Sequence, residues 1–238
     1  MESNSTPLYR QIANNIREEI KKSPLRVGEA IPSEMKLAKK YDVSRVTIRQ
    51  SIDILVNEGL LYRVKGSGTY LKKPKIEHNI YKLQGFIEEI QSQNRKYVNK
   101  IIEFKIHRAE DHIGHILKLD KGEQVFFVSR IRYVDDIPAI VEYTYLPVKL
   151  FPDLSYEIML SSKYEYIEVK KGFKIKESYQ EFIPILPDKK MQDLLSIEEN
   201  TPILKVVMNS VLDSDLVFEY TELYFRTDQY RFSIVAKR

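Results

Sequence analysis

Residues 43–55 read VSRVTIRQSIDIL. Ser44 is the small polar type that caps a helix N-terminus, and the residues after it follow a helical period. Arg45, Thr47, Arg49 and Gln50 share one face, and Val46, Ile48, Ile52 and Leu55 are expected to point inward. Exposed arginines on the first turns of a capped amphipathic helix are how a DNA-reading helix is built.

The surrounding sequence supplies the rest of such a module. After Thr6-Pro7, apolar residues recur every four positions at Leu8, Ile12, Ile16 and Ile20, with Ala13 beside them; this predicts a first helix ending near Lys22 to Pro24. Val27-Gly28 marks a turn, and Ser33 with Glu34 opens a second helix whose apolar side is expected to hold Met35, Leu37, Ala38 and Tyr41. Tyr41-Asp42-Val43 is a tight connection, and Gly59 suits a left-handed stop to the third helix. Two short β-prone runs, Leu60 to Val64 and Thr69 to Leu71, then flank Lys65-Gly66-Ser67-Gly68 and predict a small basic hairpin. A phosphate-cradling loop is excluded there, because no strand leads into it with a helix following and no Gly-Lys-Ser/Thr occurs.

Charge is distributed in agreement with this reading. Residues 1–75 carry 15 Lys or Arg against 8 Asp or Glu, a balance of +7, whereas residues 76–238 carry 23 against 26, or −3. A local basic excess is the electrostatic footprint of nucleic-acid binding. The 238 residues, 43% hydrophobic, suffice for two packed cores. The absence of cysteine excludes disulfides, thiolate metal sites and a Cys nucleophile, and fits a reducing cytoplasm. No signal peptide is recognisable, and no apolar run approaches the roughly 18 residues of a membrane span.

The triplets Pro7-Leu8-Tyr9, Pro32-Ser33-Glu34, Val43-Ser44-Arg45, Thr47-Ile48-Arg49 and Glu58-Gly59-Leu60, with Gly66-Ser67-Gly68-Thr69, stand in the order and spacing of one family. Residues 7–71 resemble the winged-helix domain of GntR-family bacterial transcription regulators. The resemblance implies that Arg45 and Arg49 approach guanines or phosphates, that Ser44 and Thr47 bind backbone or base edges, and that Gly66 sits at the minor groove. Ser33, Glu34, Lys36, Gln50 and Lys65 complete the expected DNA-binding set. Met35 stands where many relatives carry an Arg.

Lys72-Lys73-Pro74-Lys75 breaks the hairpin, so the expected division is a DNA-binding domain at 1–73, a linker at 74–82 and a second domain at 83–238. In the latter, Leu83, Phe86, Ile87 and Ile90 predict a helix with Gly85 near its start, where free N–H groups could hold an anion. Strands are predicted at 99–108, 125–134, 139–146, 174–184, 203–212, 217–226 and 230–235. Helices are predicted at 111–117, 156–160 and 188–195. Mostly antiparallel strands with short helices give an α+β class. Arg130 and Arg132 lie two apart on one strand and share a face, with Glu142 on the facing strand, either neutralising them or binding a ligand hydroxyl.

Ser129-Arg130-Ile131-Arg132, Pro138 to Glu142, Leu146-Pro147, Phe151-Pro152, Phe218-Glu219-Tyr220 and Arg226-Thr227-Asp228-Gln229-Tyr230 carry a second resemblance. Residues 83–235 look like the UTRA effector domain of HutC-type GntR regulators, whose fold resembles chorismate lyase. In members that sense phosphorylated amino sugars, the pocket positions correspond here to Arg130, Arg132, Glu142, Ser162, Tyr164 and Glu219, with Gly85 and Phe86 at the helix start. The resemblance implies phosphate on the arginines and Ser162, and sugar hydroxyls or an amide on the carboxylates. Phe225 replaces a pocket tyrosine.

The expected function is therefore a ligand-responsive regulator, with an operator duplex and a small effector such as an N-acetylhexosamine 6-phosphate as partners. One winged helix reads only a half-site, which predicts a homodimer. A catalytic reading lacks a reactive constellation, with no Ser/His/Asp arrangement in view. His112 and His115 share a helix face without a third ligand, so neither metal nor cofactor is expected.

Overall fold

The computed structural model describes residues 6–236 other than 24, 26 and 73. The chain divides into two units, Met1–Lys75 and Ile76–Arg238.

In the first unit the four-residue apolar spacing produces α1 (Leu8–Lys22), which buries Ile12, Ala13 and Ile16. Helix α2 (Glu34–Tyr41) is capped by Ser33, whose hydroxyl accepts from the Lys36 N–H at 3.4 Å, and ends at Asp42 in the left-handed region, φ 52°. Helix α3 (Arg45–Asn57) is capped by Ser44, which accepts from the Thr47 N–H at 3.1 Å. Its inward stripe is Ile48, Ser51, Ile52 and Leu55. Ser51 is tolerated there because its hydroxyl donates to the carbonyls of Tyr9 and Thr47, at 2.8 and 2.9 Å. Strands β1 (Leu61–Val64) and β2 (Gly68–Leu71) form the hairpin, and residues 28–31 hydrogen-bond to β2 around a single bridge between Ala30 and Tyr70.

Two expectations fail in this unit. Met35 and Val46 are apolar but 65% and 67% exposed. At about 100° per residue, Val46 falls roughly 170° from the middle of the buried stripe, so it cannot join that face.

The second unit is built on a six-stranded antiparallel sheet. Its members are β4 (Tyr97–Arg108), β5 (Gln124–Val134), β6 (Ile137–Pro147), β7 (Ile175–Ile185), β8 (Ile203–Leu212) and β9 (Val217–Arg226). They lie in the order β4-β5-β6-β9-β8-β7. Asp135 and Asp136 both have positive φ, 50° and 67°, and form the two-residue turn that pins the β5/β6 register. That register sets Arg130 opposite Glu142. One sheet face packs against α5 (Asp111–Ile116) and α8 (Lys189–Leu195), burying Ile113 with Val125 and Tyr220, and Met191 and Leu195 with Ile131 and Val141. The other carries Arg130, Arg132, Glu142 and Glu219 beneath α4 (Phe86–Ser92), α6 (Tyr156–Leu160) and α7 (Lys163–Glu165).

The passage read as a linker at 74–82 contains a strand. β3 (Ile76–Asn79) pairs in parallel with β10 (Tyr230–Ser233), and Ile76 is fully buried. Helix α7 and the π-helical turn Tyr166–Lys170 were also not foreseen.

Leu55 is fully buried among Ile12, Ile16 and Ile48. Leu55→Ala should cost the first unit about 3 kcal/mol, whereas Val46→Ala should change it by less than about 0.5 kcal/mol. Urea unfolding of the two variants measures the difference.

Candidate functional site

The covered face of the sheet holds a buried ion cluster. Arg130 is completely buried, and its Nη2 donates to Glu142 Oε1 at 2.7 Å, while Nη1 donates to the Met159 carbonyl on α6. Arg132 donates to Glu142 Oε2 through Nε at 2.5 Å, and its Nη2 is ion-paired with the same oxygen. The Thr144 hydroxyl donates to Oε1 of the same carboxylate at 2.7 Å. A second carboxylate lies alongside: Glu219 accepts from Lys163 Nζ, from the Tyr164 hydroxyl at 2.8 Å and from the Ser210 hydroxyl at 2.8 Å. Lys163 links the two acids, its Nζ lying 3.8 Å from Glu142 Oε1.

Burial alone would push the Glu142 carboxyl up, but Arg130, Arg132 and Lys163 outweigh it and hold the group well below its usual range. Burial, reinforced by Arg130, pushes Arg132 down to about 10, so its guanidinium stays charged at neutral pH. Burial and then the neighbouring Glu219 push the Tyr164 hydroxyl well up, keeping it a hydrogen-bond donor. The five charged groups in mutual contact are three cations and two anions, which leaves one positive charge in excess.

That excess faces a cleft of about 760 Å3, part of it open to solvent. Gly85, Phe86, Arg132, Glu142, Ser162, Tyr164 and Phe225 all line it. Phe86 lies under the Arg132 guanidinium, 4.6 Å from ring to carbon. A Cβ at Gly85 would stand 3.7 Å from the Ser162 hydroxyl, which brings the start of α4 beside the cap of α7. Arg130 and Glu219 lie one layer deeper, behind Glu142 and Tyr164, and do not line the cleft. Phe225 is packed among His78, Tyr230 and Phe232.

Sequence reasoning missed Lys163 and Thr221, although Thr221 shares the alternation of Glu219 and Lys163 directly follows Ser162. It also missed His78, which lay inside the supposed linker. There the His78 Nδ1 meets Glu89 Oε1 at 2.6 Å, and the Tyr230 hydroxyl donates to Glu89 Oε2 at 3.2 Å.

In the first unit, Ser33, Glu34 and Lys36 sit at the start of α2, and Ser44, Arg45, Thr47, Arg49 and Gln50 at the start of α3. Lys65 and Gly66 form the tip of the hairpin, where Gly66 takes φ 76° and a Cβ would meet nothing within 4 Å. Glu34 gathers three guanidiniums: Arg49 at 3.3 Å, Arg63 at 3.8 Å and Arg45 at 4.0 Å. Arg63, on β1, is the residue the sequence did not single out; it also pairs with Asp53. These exposed pairs are worth little individually and can be exchanged for phosphate or base contacts at small cost.

Among the described residues no His, Cys, Asp or Glu cluster could hold a metal, and no helix is long and apolar enough to cross a membrane.

Removing the Glu142 charge leaves two buried guanidiniums opposed, so Glu142→Gln should destabilise the second unit by about 3–5 kcal/mol. Its carboxyl titrates lower folded than unfolded, where it lies at about 4.3. The unfolded chain therefore holds more protons between the two values. The stabilisation is complete above that window and lost as pH falls through it. Melting curves between pH 6 and 2 should show an acid-dependent loss in the wild type that is smaller in Glu142→Gln.

Residues 8–71 match the bacterial regulatory proteins of the gntR family, and residues 92–231 match the UTRA domain. The chain is 38% identical over 232 residues to the mannosyl-D-glycerate transport/metabolism system repressor MngR of Escherichia coli K12, covering 98% of this chain and 97% of the relative. It is 30% identical to the HTH-type transcriptional repressor NagR of Bacillus subtilis 168, covering 95% and 93%. The crystal structure of PhnF from Mycobacterium smegmatis shares the fold with a TM-score of 0.74, at 21% identity, over 95% of this chain and 99% of that one. These relatives are transcription regulators, not enzymes. Both parts of the chain thus match known domains, and the chain is a member of the GntR family of bacterial transcription regulators carrying a UTRA domain.

Proposed function

We propose that the chain is a repressor that binds a pseudo-palindromic operator as a homodimer and is controlled by a small anionic sugar derivative, with a hexosamine 6-phosphate as the leading candidate. The observation that carries this reading is the net positive charge of the buried cluster of Arg130, Arg132 and Lys163 against Glu142 and Glu219, which presents Arg132 and Lys163 at the lining of the cleft. In a site of low dielectric such a charge attracts an anion by several kcal/mol, on the order of 4 at an effective dielectric of 20 and a 4 Å separation. Arg132 and Ser162 would take the anionic group. Glu142 holds Arg132 in place, and the Glu165 N–H donates to the Ser162 hydroxyl at the cap of α7.

MngR supports the sugar class through what its name states, the repressor of a mannosyl-D-glycerate system, and NagR, a transcriptional repressor, supports repression. The mannosyl-D-glycerate system supplies a second candidate anion, a glycerate carboxylate in place of a phosphate. Control requires that the effector bind the DNA-competent and DNA-free arrangements with different affinity, and DNA must then alter effector affinity by the same factor. The wall of the cleft from His78 to Glu89 begins two residues beyond Ile76, so effector contacts act on the chain that leads back to the winged helix.

A thermal-shift panel of hexose 6-phosphates, N-acetylhexosamine 6-phosphates, mannosyl-D-glycerate and the uncharged parent sugars tests the ligand class. Anionic members should stabilise the protein; stabilisation by the uncharged sugars alone would sink the proposal. Arg132→Ala should abolish the response to the stabilising compound and leave operator binding intact, and Arg49→Ala should do the reverse, as read by fluorescence anisotropy and calorimetry.

A further inference from the structure

We infer that Val46 is a specificity-determining residue of the winged helix, and that its side chain seats against the 5-methyl group of a thymine in the operator's major groove. The inference rests on the DNA-reading role of α3. Val46 is the second residue of that helix and 67% exposed. It lies opposite the buried stripe of Ile48, Ser51, Ile52 and Leu55, at the centre of the outward face.

Its neighbours on that face decide what can cover it. Arg45, Arg49, Gln50 and Asp53 surround it at helical spacing, and Arg45 and Arg49 are drawn to Glu34 on one flank. An apolar protein partner would have to desolvate these charges, whereas DNA supplies phosphates and guanine edges for the arginines. The remaining apolar feature of the major groove is the thymine methyl, and N-terminal residues of a recognition helix are the ones that reach base edges. A β-branched side chain suits the task because it is held to few rotamers and loses little freedom on contact. Gln50, one turn further on, has the paired donor and acceptor that match adenine, so the two side chains together would read A·T pairs beside the guanines taken by the arginines.

The experiment begins with selection of an operator from random duplexes by the full-length protein. Each thymine of one half-site is then replaced in turn by deoxyuridine, which removes only the methyl group. One replacement should weaken wild-type binding about fourfold, the effect of leaving one methyl unburied. The same replacement should have no effect on Val46→Ala, whose fold is checked by its melting curve. If no thymine shows a penalty, or if the penalty persists unchanged in Val46→Ala, the assignment is overturned. Failure to enrich any duplex would instead remove the DNA-reading role of the helix itself.

Discussion

The effector unit depends on one carboxylate held between two guanidiniums. Glu142 accepts from Arg130 on one oxygen and Arg132 on the other, with Thr144 completing the first. Two like charges on one strand face would otherwise repel, and neither could be buried. Through Arg130 the cluster reaches the Met159 carbonyl and ties α6 to the sheet; through Lys163 it reaches Glu219 and ties down α7. Arg132 is left at the cleft with Phe86 beneath it. The same electrostatics that make the site costly to bury also determine which helices cover it.

The arginines gathered around Glu34 and around Glu142 work in different regimes. Around Glu34 the pairs are long and the guanidiniums exposed, so the arginines remain available for exchange with another anion. Around Glu142 the donors are dry and their geometry is fixed. The first arrangement suits binding that must be reversible and sensitive to salt, and the second suits recognition of a particular shape.

The winged helix was legible because its signals are local. Caps at Ser33 and Ser44 and a left-handed glycine at Gly59 fix the elements within a few residues of themselves. Val46 and Met35 misled because apolar character says nothing of direction; only the angle around the helix does. In the effector unit, alternation revealed that Arg130, Arg132 and Glu142 share a face, but which arginine reaches the cleft is decided by α6, packed above from elsewhere in the sequence. Lys163 was not singled out because nothing local marks a lysine after Ser162 as buried, yet Glu219 lies against it. β3 was unreadable because its four residues have no pattern of their own and take their structure from a partner far along the chain.

That partner has a consequence for how the molecule comes into being. β3 opens the effector unit and β10 is its last strand, so their parallel pairing closes a loop of roughly 150 residues. His78, on β3, is part of the cleft wall, and Tyr230, on β10, anchors Glu89 behind it. The winged helix lies wholly before β3, so all of its residues are synthesised well before β10. During synthesis the elements of the winged helix can therefore pair with one another while the wall of the cleft still lacks its fastening strand.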